Sequence, residues 1–232
     1  MKVVNVYNIT IGQDDCPHTF ITGKIPGLLI FVMNTSDDTG GYQKTFSIYV
    51  SKSDEDLRSA LNLLKEYPSI KDINILGMKE NMMSLTYSFP RTSAYKSVKK
   101  MGFRLHPVVI KDGQERWFFV SHEENVVNDA KHKLNDHVTR LMMLKRLTTN
   151  EFINSYSKLF NELWKIRIDS QTKGQGSAII SEALSAGYYD WPRRSSLSKL
   201  SKSINMPRTT LTYRLRKLEK KVFEDIEGDE LL

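Results

Sequence analysis

Leu197, Leu200 and Ile204 recur at helical spacing, Asn205-Met206-Pro207 interrupts the pattern, and Leu211, Leu215, Leu218 and Val222 resume it. Apolar residues three and four apart lie on one face of a helix. The stretch therefore predicts a short helix over 195–204, a turn, and a longer helix beyond it. Ser195 or Ser196 suits the first cap, because a serine hydroxyl accepts from N–H groups that the first turn leaves unpaired. The turn needs a residue tolerant of positive φ, and asparagine is the next choice after glycine. Pro207 fits the first turn of the second helix, where a missing N–H costs little. Upstream, "SAIISEALSAGYY" (177–189) predicts another helix with Ile179, Ile180, Ala183, Leu184 and Ala186 inward, ended by Gly187. A short helix, a turn of three or four residues and a longer helix are the grammar of a helix–turn–helix.

The same stretch is crowded with positive charge. Between Arg193 and Lys221 stand ten Lys or Arg and one acid, Glu219. The formal charge of the whole chain is only +7, because the acidic run "EDIEGDE" near the end masks the local excess. A charge run is often a solvated face and nothing more. Here charge, turn chemistry and leucine spacing coincide, which points to duplex DNA. In that geometry the second helix lies in the major groove, with residues near its N-terminus reaching base edges. Arg208, Thr209, Thr212 and Tyr213 are the candidates for base contact. An arginine can pair bidentately with guanine, and a threonine methyl can meet the thymine methyl. Arg193, Arg194, Lys199, Arg214, Arg216, Lys217 and Lys220 are placed to neutralise phosphates, which sets register without reading sequence.

These residues also carry a family likeness. "ALSAGYYDWPRRSSLSKLSKSINMPRTTLTYRLRKLEKKV" resembles the C-terminal helix–turn–helix domain of the archaeal bacterio-opsin activator family. Gly187, Tyr188, Tyr189, Asp190, Pro192, Arg193 and Arg194 match its Gly-Tyr-aromatic-acid-x-Pro-Arg-Arg segment. Thr210, Leu211, Leu215, Arg216 and Lys217 match its recognition helix. Asn205 stands where that family often has glycine, and "GQGSAII" replaces its usual Arg-Gln start. The resemblance covers about 45 residues and implies an archaeal transcription regulator that binds double-stranded DNA.

Residues 1–121 alternate short β-rich runs with helical ones. "KTFSIYV" (44–50), "DINILGM" (72–78), "MMSLTYSF" (82–89) and "FRLHPVVI" (103–110) predict strands. "SDEDLRSALNLLKEY" (53–67), capped by Ser53, and "RTSAYKSVKKM" (91–101), stopped by Gly102, predict helices. Asp112-Gly113 predicts a tight hairpin into "ERWFFV" (115–120). The order β-α-β-β-α-β suggests a ferredoxin-like sandwich within an α+β fold, extended by strands at 2–10, 27–33 and 115–120. Residues 123–168 read as helical, with Val127, Ala130, Leu134, His137, Leu141 and Leu144 near a/d spacing. Thr148 and Glu151 then form a capping box before a stripe of Phe152, Tyr156, Leu159, Phe160, Leu163 and Ile166. That segment either packs on its own domain or forms a dimerising hairpin. "DSQTKGQGS" (169–177) reads as a flexible linker.

The expected organisation is therefore a sensor or dimerisation domain over 1–122, a helical connector over 123–168, and a linker with an all-α helix–turn–helix domain over 169–232. Cys16 is the only cysteine, so neither an internal disulfide nor a Cys-pair zinc finger is open to the chain. No run is long enough to span a bilayer and no signal-peptide pattern precedes the first strand, so a cytoplasmic, nucleoid-associated protein is expected. "DDCPHTF" (14–20) is the one compact reactive cluster. Cys16 and His18 are metal-ligand types, with His106 a distant further candidate; a loop with a buried thiol, a metal or redox sensor and a Cys-His catalytic pair all fit. Phosphate-binding glycine loops, G-x-S-x-G and H-E-x-x-H are absent, so no catalytic residue and no cofactor is expected. The leading expectation is a non-enzymatic, sequence-specific regulator, a homodimer on double-stranded DNA with a possible small-molecule effector. A metal- or ligand-dependent enzyme and an architectural chromatin protein are the alternatives.

Overall fold

The computed structural model describes residues 5–79, 81–99, 102–122, 125–134, 138–171 and 176–227. The chain divides into two compact units, Met1–Asn161 and Glu162–Leu232. His137 lies outside the described residues, as do the side chains of Val127, Leu163, Ile166 and Val222 and part of the expected linker. Among the described residues no helix is long and apolar enough to cross a membrane.

The first unit is built on an eight-stranded antiparallel sheet. In chain order its strands are β1 (Asn5–Gln13), β2 (Leu29–Asp37), β3 (Tyr42–Val50), β4 (Lys71–Lys79), β5 (Met82–Pro90), β6 (Phe103–Lys111), β7 (Gln114–Ser121) and β8 (Thr139–Leu147). In space they run β4-β5-β3-β2-β6-β7-β1-β8. Helices α1 (Pro17–Lys24), α2 (Asp54–Glu66), α3 (Ser93–Lys99) and α4 (Val126–Lys133) share one apolar core with one face of this sheet. Ile21, Leu57, Leu64, Val98 and Ala130 meet Ile9, Ile30, Leu85, Ile110 and Trp117 there. Alternate residues of a strand face opposite ways. Trp117 and Phe119 of β7 therefore join that core, while Phe118 meets Phe152 and Tyr156 of α5 (Thr149–Gln171) on the other face, at ring separations of 5.8 and 5.5 Å. The continuous apolar run "WFFV" fits a strand covered on both sides.

Local expectations about this unit hold in detail. Ser53 caps α2, its Oγ accepting from the Asp56 N–H at 3.1 Å. Thr148 and Glu151 cap α5 reciprocally. Asp112 and Gly113 both take positive φ between Lys111 and Gln114, the paired ends of the β6–β7 hairpin.

Three expectations fail. First, the ferredoxin-like order requires β6 beside β3, but β2 lies between them. The β3-α2-β4 unit does enclose β5, as half of such a fold would. The other half is displaced because "LIFV" is buried and apolar enough to be a central strand, and it pairs with its sequence neighbour β3 on one side and with β6 on the other. Second, residues 139–147 are the edge strand β8, not part of a helical connector. Leu141 and Leu144 are three apart, a helical signal, but a register shift opposite Thr10 and Ile11 inserts one extra residue and turns both toward the core. Third, "CPHTF" is not a loop, although its thiol is buried as that reading had it: Cys16 stands at the N-cap of α1 and Pro17 opens it.

Candidate functional site

The second unit gathers α6 (Gly176–Ser185), α7 (Leu197–Ser203) and α8 (Arg208–Glu227). Their apolar faces close on one cluster of Ile179, Ala183, Leu200, Leu211, Leu215 and Leu218, all buried. Ser196, one of the two expected caps, accepts from the Lys199 N–H. Two similar turns join the helices. After α6, Gly187 has φ +72; its N–H donates to Leu184 O and the Tyr188 N–H to Ala183 O. After α7, Asn205 has φ +53; its N–H donates to Lys202 O and the Met206 N–H to Ser201 O. Both are Schellman caps, which require one left-handed residue and satisfy carbonyls the helix end leaves open. Asn205→Val should therefore cost about 1–2 kcal/mol, read as a lower urea midpoint, while Asn205→Gly should leave the midpoint unchanged or raise it.

Leu200, Leu211, Leu215 and Leu218 face inward and most of the charged residues face out, whereas Leu184, expected inward, is 56% exposed. Arg208 and Thr209 open α8 and are exposed, as are Arg216, Lys217 and Lys220 further along, and Tyr213 is 67% exposed. Arg214 is half-buried. The Thr212 hydroxyl donates to Arg208 O at 2.8 Å, so it presents its methyl and an acceptor rather than a free donor. Lys199 is exposed on α7. Arg193 and Arg194 lie in the loop between α6 and α7, and both are exposed but engaged. The Arg193 guanidinium sits 4.9 Å from the Tyr188 ring centre. Arg194 pairs with Asp190 and packs over Gly187, where a Cβ would lie 2.7 Å from its Nε. Two exposed residues among these were not singled out from the sequence: Lys202 and Trp191, which is 97% exposed beside the two arginines. A tryptophan inside a basic loop was the available signal.

In the first unit the structure brings Cys16 and His18 together and adds Glu115 from β7. Cys16 Sγ donates to Glu115 Oε1 at 2.8 Å and lies 3.4 Å from His18 Nδ1. All three residues are buried, with ligand-type atoms within 4.8 Å of one another. Trp117 Nε1 donates to Glu115 Oε2 at 2.7 Å, and His18 Nε2 is hydrogen-bonded to the Tyr87 hydroxyl, which meets the Tyr49 hydroxyl at 2.8 Å. Burial, then the Glu115 charge, pushes the Cys16 thiol well up, so it is protonated and unreactive as a nucleophile. Burial, then Arg104, holds His18 down at about 3, so its ring is neutral. His106 does not join: its Nδ1 is 3.1 Å from Val32 O, and it lines a separate cavity of about 150 Å³ with Tyr95, Lys99, Arg104 and Trp117. Glu115 escaped the sequence reading because it is 99 residues from Cys16 and sits in an otherwise ordinary strand.

The comparisons divide the chain along similar lines. The family model HVO_2525_N, an N-terminal domain, matches residues 6–139, more than half of the chain. The model HTH_10, an HTH DNA binding domain, matches residues 175–224. No curated protein matches the chain.

Proposed function

We propose that this chain, which belongs to the HVO_2525_N family and ends in a bacterio-opsin activator-type helix–turn–helix domain, is a sequence-specific regulator of transcription on double-stranded DNA. The HTH DNA binding domain match supports DNA binding and transcription regulation. The observation that carries the specific reading is the division of α8 into two faces. Leu211, Leu215 and Leu218 are buried, while Arg208, Thr209 and Tyr213 are exposed near its start.

In this reading Arg208, Thr209, Thr212 and Tyr213 meet base edges. Arg193, Arg194, Lys199, Arg214, Arg216, Lys217 and Lys220 meet phosphates. Arg194 does so while fastening its own loop to Asp190. Residues 169–232 are the DNA-binding domain, and the sensor or dimerisation domain, expected over 1–122, takes in α4 and the edge strand β8 as well. A homodimer would place two recognition helices on half-sites one helical turn, or a multiple, apart. The cavity lined by Tyr95, Lys99, Arg104, His106 and Trp117 is where this reading places a small-molecule effector. The protein would act in the cytoplasm, at the nucleoid.

In vitro selection from random duplexes supplies the test sequence. Arg208→Ala should then weaken the selected duplex by about 1–3 kcal/mol relative to a random one. Lys217→Ala should weaken both alike and lower the slope of log affinity against log salt by about one. Equal losses on both duplexes for Arg208→Ala would remove its base-reading role. Uniform footprinting protection along any DNA would replace the regulator with an architectural protein.

A further inference from the structure

We propose that Cys16, His18 and Glu115 bind one divalent transition-metal ion through Cys16 Sγ, His18 Nδ1 and Glu115 Oε1.

The donor set is the first argument. A thiolate, an imidazole and a carboxylate suit zinc and its neighbours, whereas calcium and magnesium take oxygen ligands. Two anionic ligands would balance the charge of a divalent ion. Three protein ligands leave a fourth tetrahedral position for water or an exogenous ligand.

Geometry is the second. With metal–sulfur near 2.3 Å and metal–nitrogen near 2.0–2.1 Å, the S···N edge of a tetrahedron is roughly 3.5 Å. Cys16 Sγ and His18 Nδ1 are 3.4 Å apart. The Sγ···Oε1 separation of 2.8 Å is instead that of a hydrogen bond. It must open by roughly 0.7 Å to become a tetrahedral edge, and loss of the thiol proton removes the interaction that holds it closed. On binding, the S–H bond breaks, a metal–sulfur bond forms and one proton leaves to solvent. No oxidation state changes.

Preorganisation is the third. Ligating histidines usually donate their other ring N–H to a partner that fixes the ring, and ligating carboxylates are themselves hydrogen-bonded. His18 Nε2 has the Tyr87 hydroxyl, and Glu115 Oε2 has the Trp117 N–H. The Cys16 carbonyl is held by the Phe20 N–H and the Thr19 hydroxyl at the start of α1. Each ligand is thus oriented from outside the triad. One ligand comes from β7 and two from α1 and its cap, so an ion would also tie the helix to the sheet.

Cobalt(II) is the probe. Full-length protein stripped with chelator should take up one cobalt(II) per chain and release about one proton. The complex should show the near-ultraviolet sulfur-to-cobalt charge-transfer band and the visible bands of four-coordinate cobalt, and zinc(II) should abolish both. Cys16→Ala should lose the charge-transfer band, and Glu115→Gln should bind at least tenfold more weakly, each with its far-ultraviolet circular dichroism retained. Absence of the charge-transfer band in the wild-type protein overturns the proposal without any variant. So does an unchanged cobalt spectrum in folded Cys16→Ala.

Discussion

Leu215→Ala should destabilise the C-terminal unit by about 2–5 kcal/mol, the range for removing a buried leucine from a core that cannot fully collapse. The side chain is 2% exposed and belongs, among the described residues, to a cluster of six buried side chains from three helices. A small unit buries a modest share of its surface, so each contact is a large fraction of the total. Domain stabilities run about 5–15 kcal/mol, which makes a loss of this size enough to populate the unfolded unit under mild stress. Urea unfolding followed by circular dichroism should show the lower midpoint. Selected and random duplexes should lose affinity together, because the whole recognition surface goes with the fold. Leu215→Met should cost less than about 1.5 kcal/mol, since volume is nearly conserved. An unaltered midpoint for Leu215→Ala would mean that α8 is not held by its leucine face, and the outward placement of Arg208 would lose its basis.

Trp117→Ala should cost about 3–5 kcal/mol. Trp117 is fully buried on β7 and paired in register with Ile9. Its ring lies 5.0 Å from the Arg104 guanidinium carbon, and its N–H donates to Glu115. The substitution removes aromatic volume, a cation–π partner and the donor to a buried carboxylate together. Trp117→Phe separates these effects: it keeps most of the apolar volume but leaves Glu115 Oε2 without that donor, at about 1–3 kcal/mol for an unsatisfied buried group. Urea midpoints for the two variants should fall in that order. A midpoint for Trp117→Phe as low as that for Trp117→Ala would assign the stability to the hydrogen bond rather than to packing.

What could be read in advance follows the range of the interaction. Asn205 and Pro207 announce a turn because positive φ and a missing N–H are properties of single residues, and Asn205 does take φ +53. The same holds for Asp112-Gly113 and for the Thr148–Glu151 cap. The leucine spacing of α8 is legible because a regular helix repeats one face, which leaves Arg208, Arg216 and Lys217 outside it and exposed. Arg194 shows the limit of this reading. Its charge and loop position suggested a phosphate contact, and nothing in the spacing told of its pairing with Asp190 over Gly187.

By itself the sequence determined the elements whose signals are local: seven of the eight strands, the caps at Ser53 and at Thr148–Glu151, the tight turns and the buried face of the last helix. Tertiary structure alone decided which strands became neighbours, because pairing is a competition among segments far apart in the chain. In that competition β2 took the place beside β3 that a ferredoxin-like order reserves for β6. Structure alone also made residues 139–147 a strand, since the bulge that rephases Leu141 and Leu144 exists only against β1. And it alone brought Glu115 to Cys16 and His18, because no periodicity spans the 99 residues that the sheet closes to 2.8 Å.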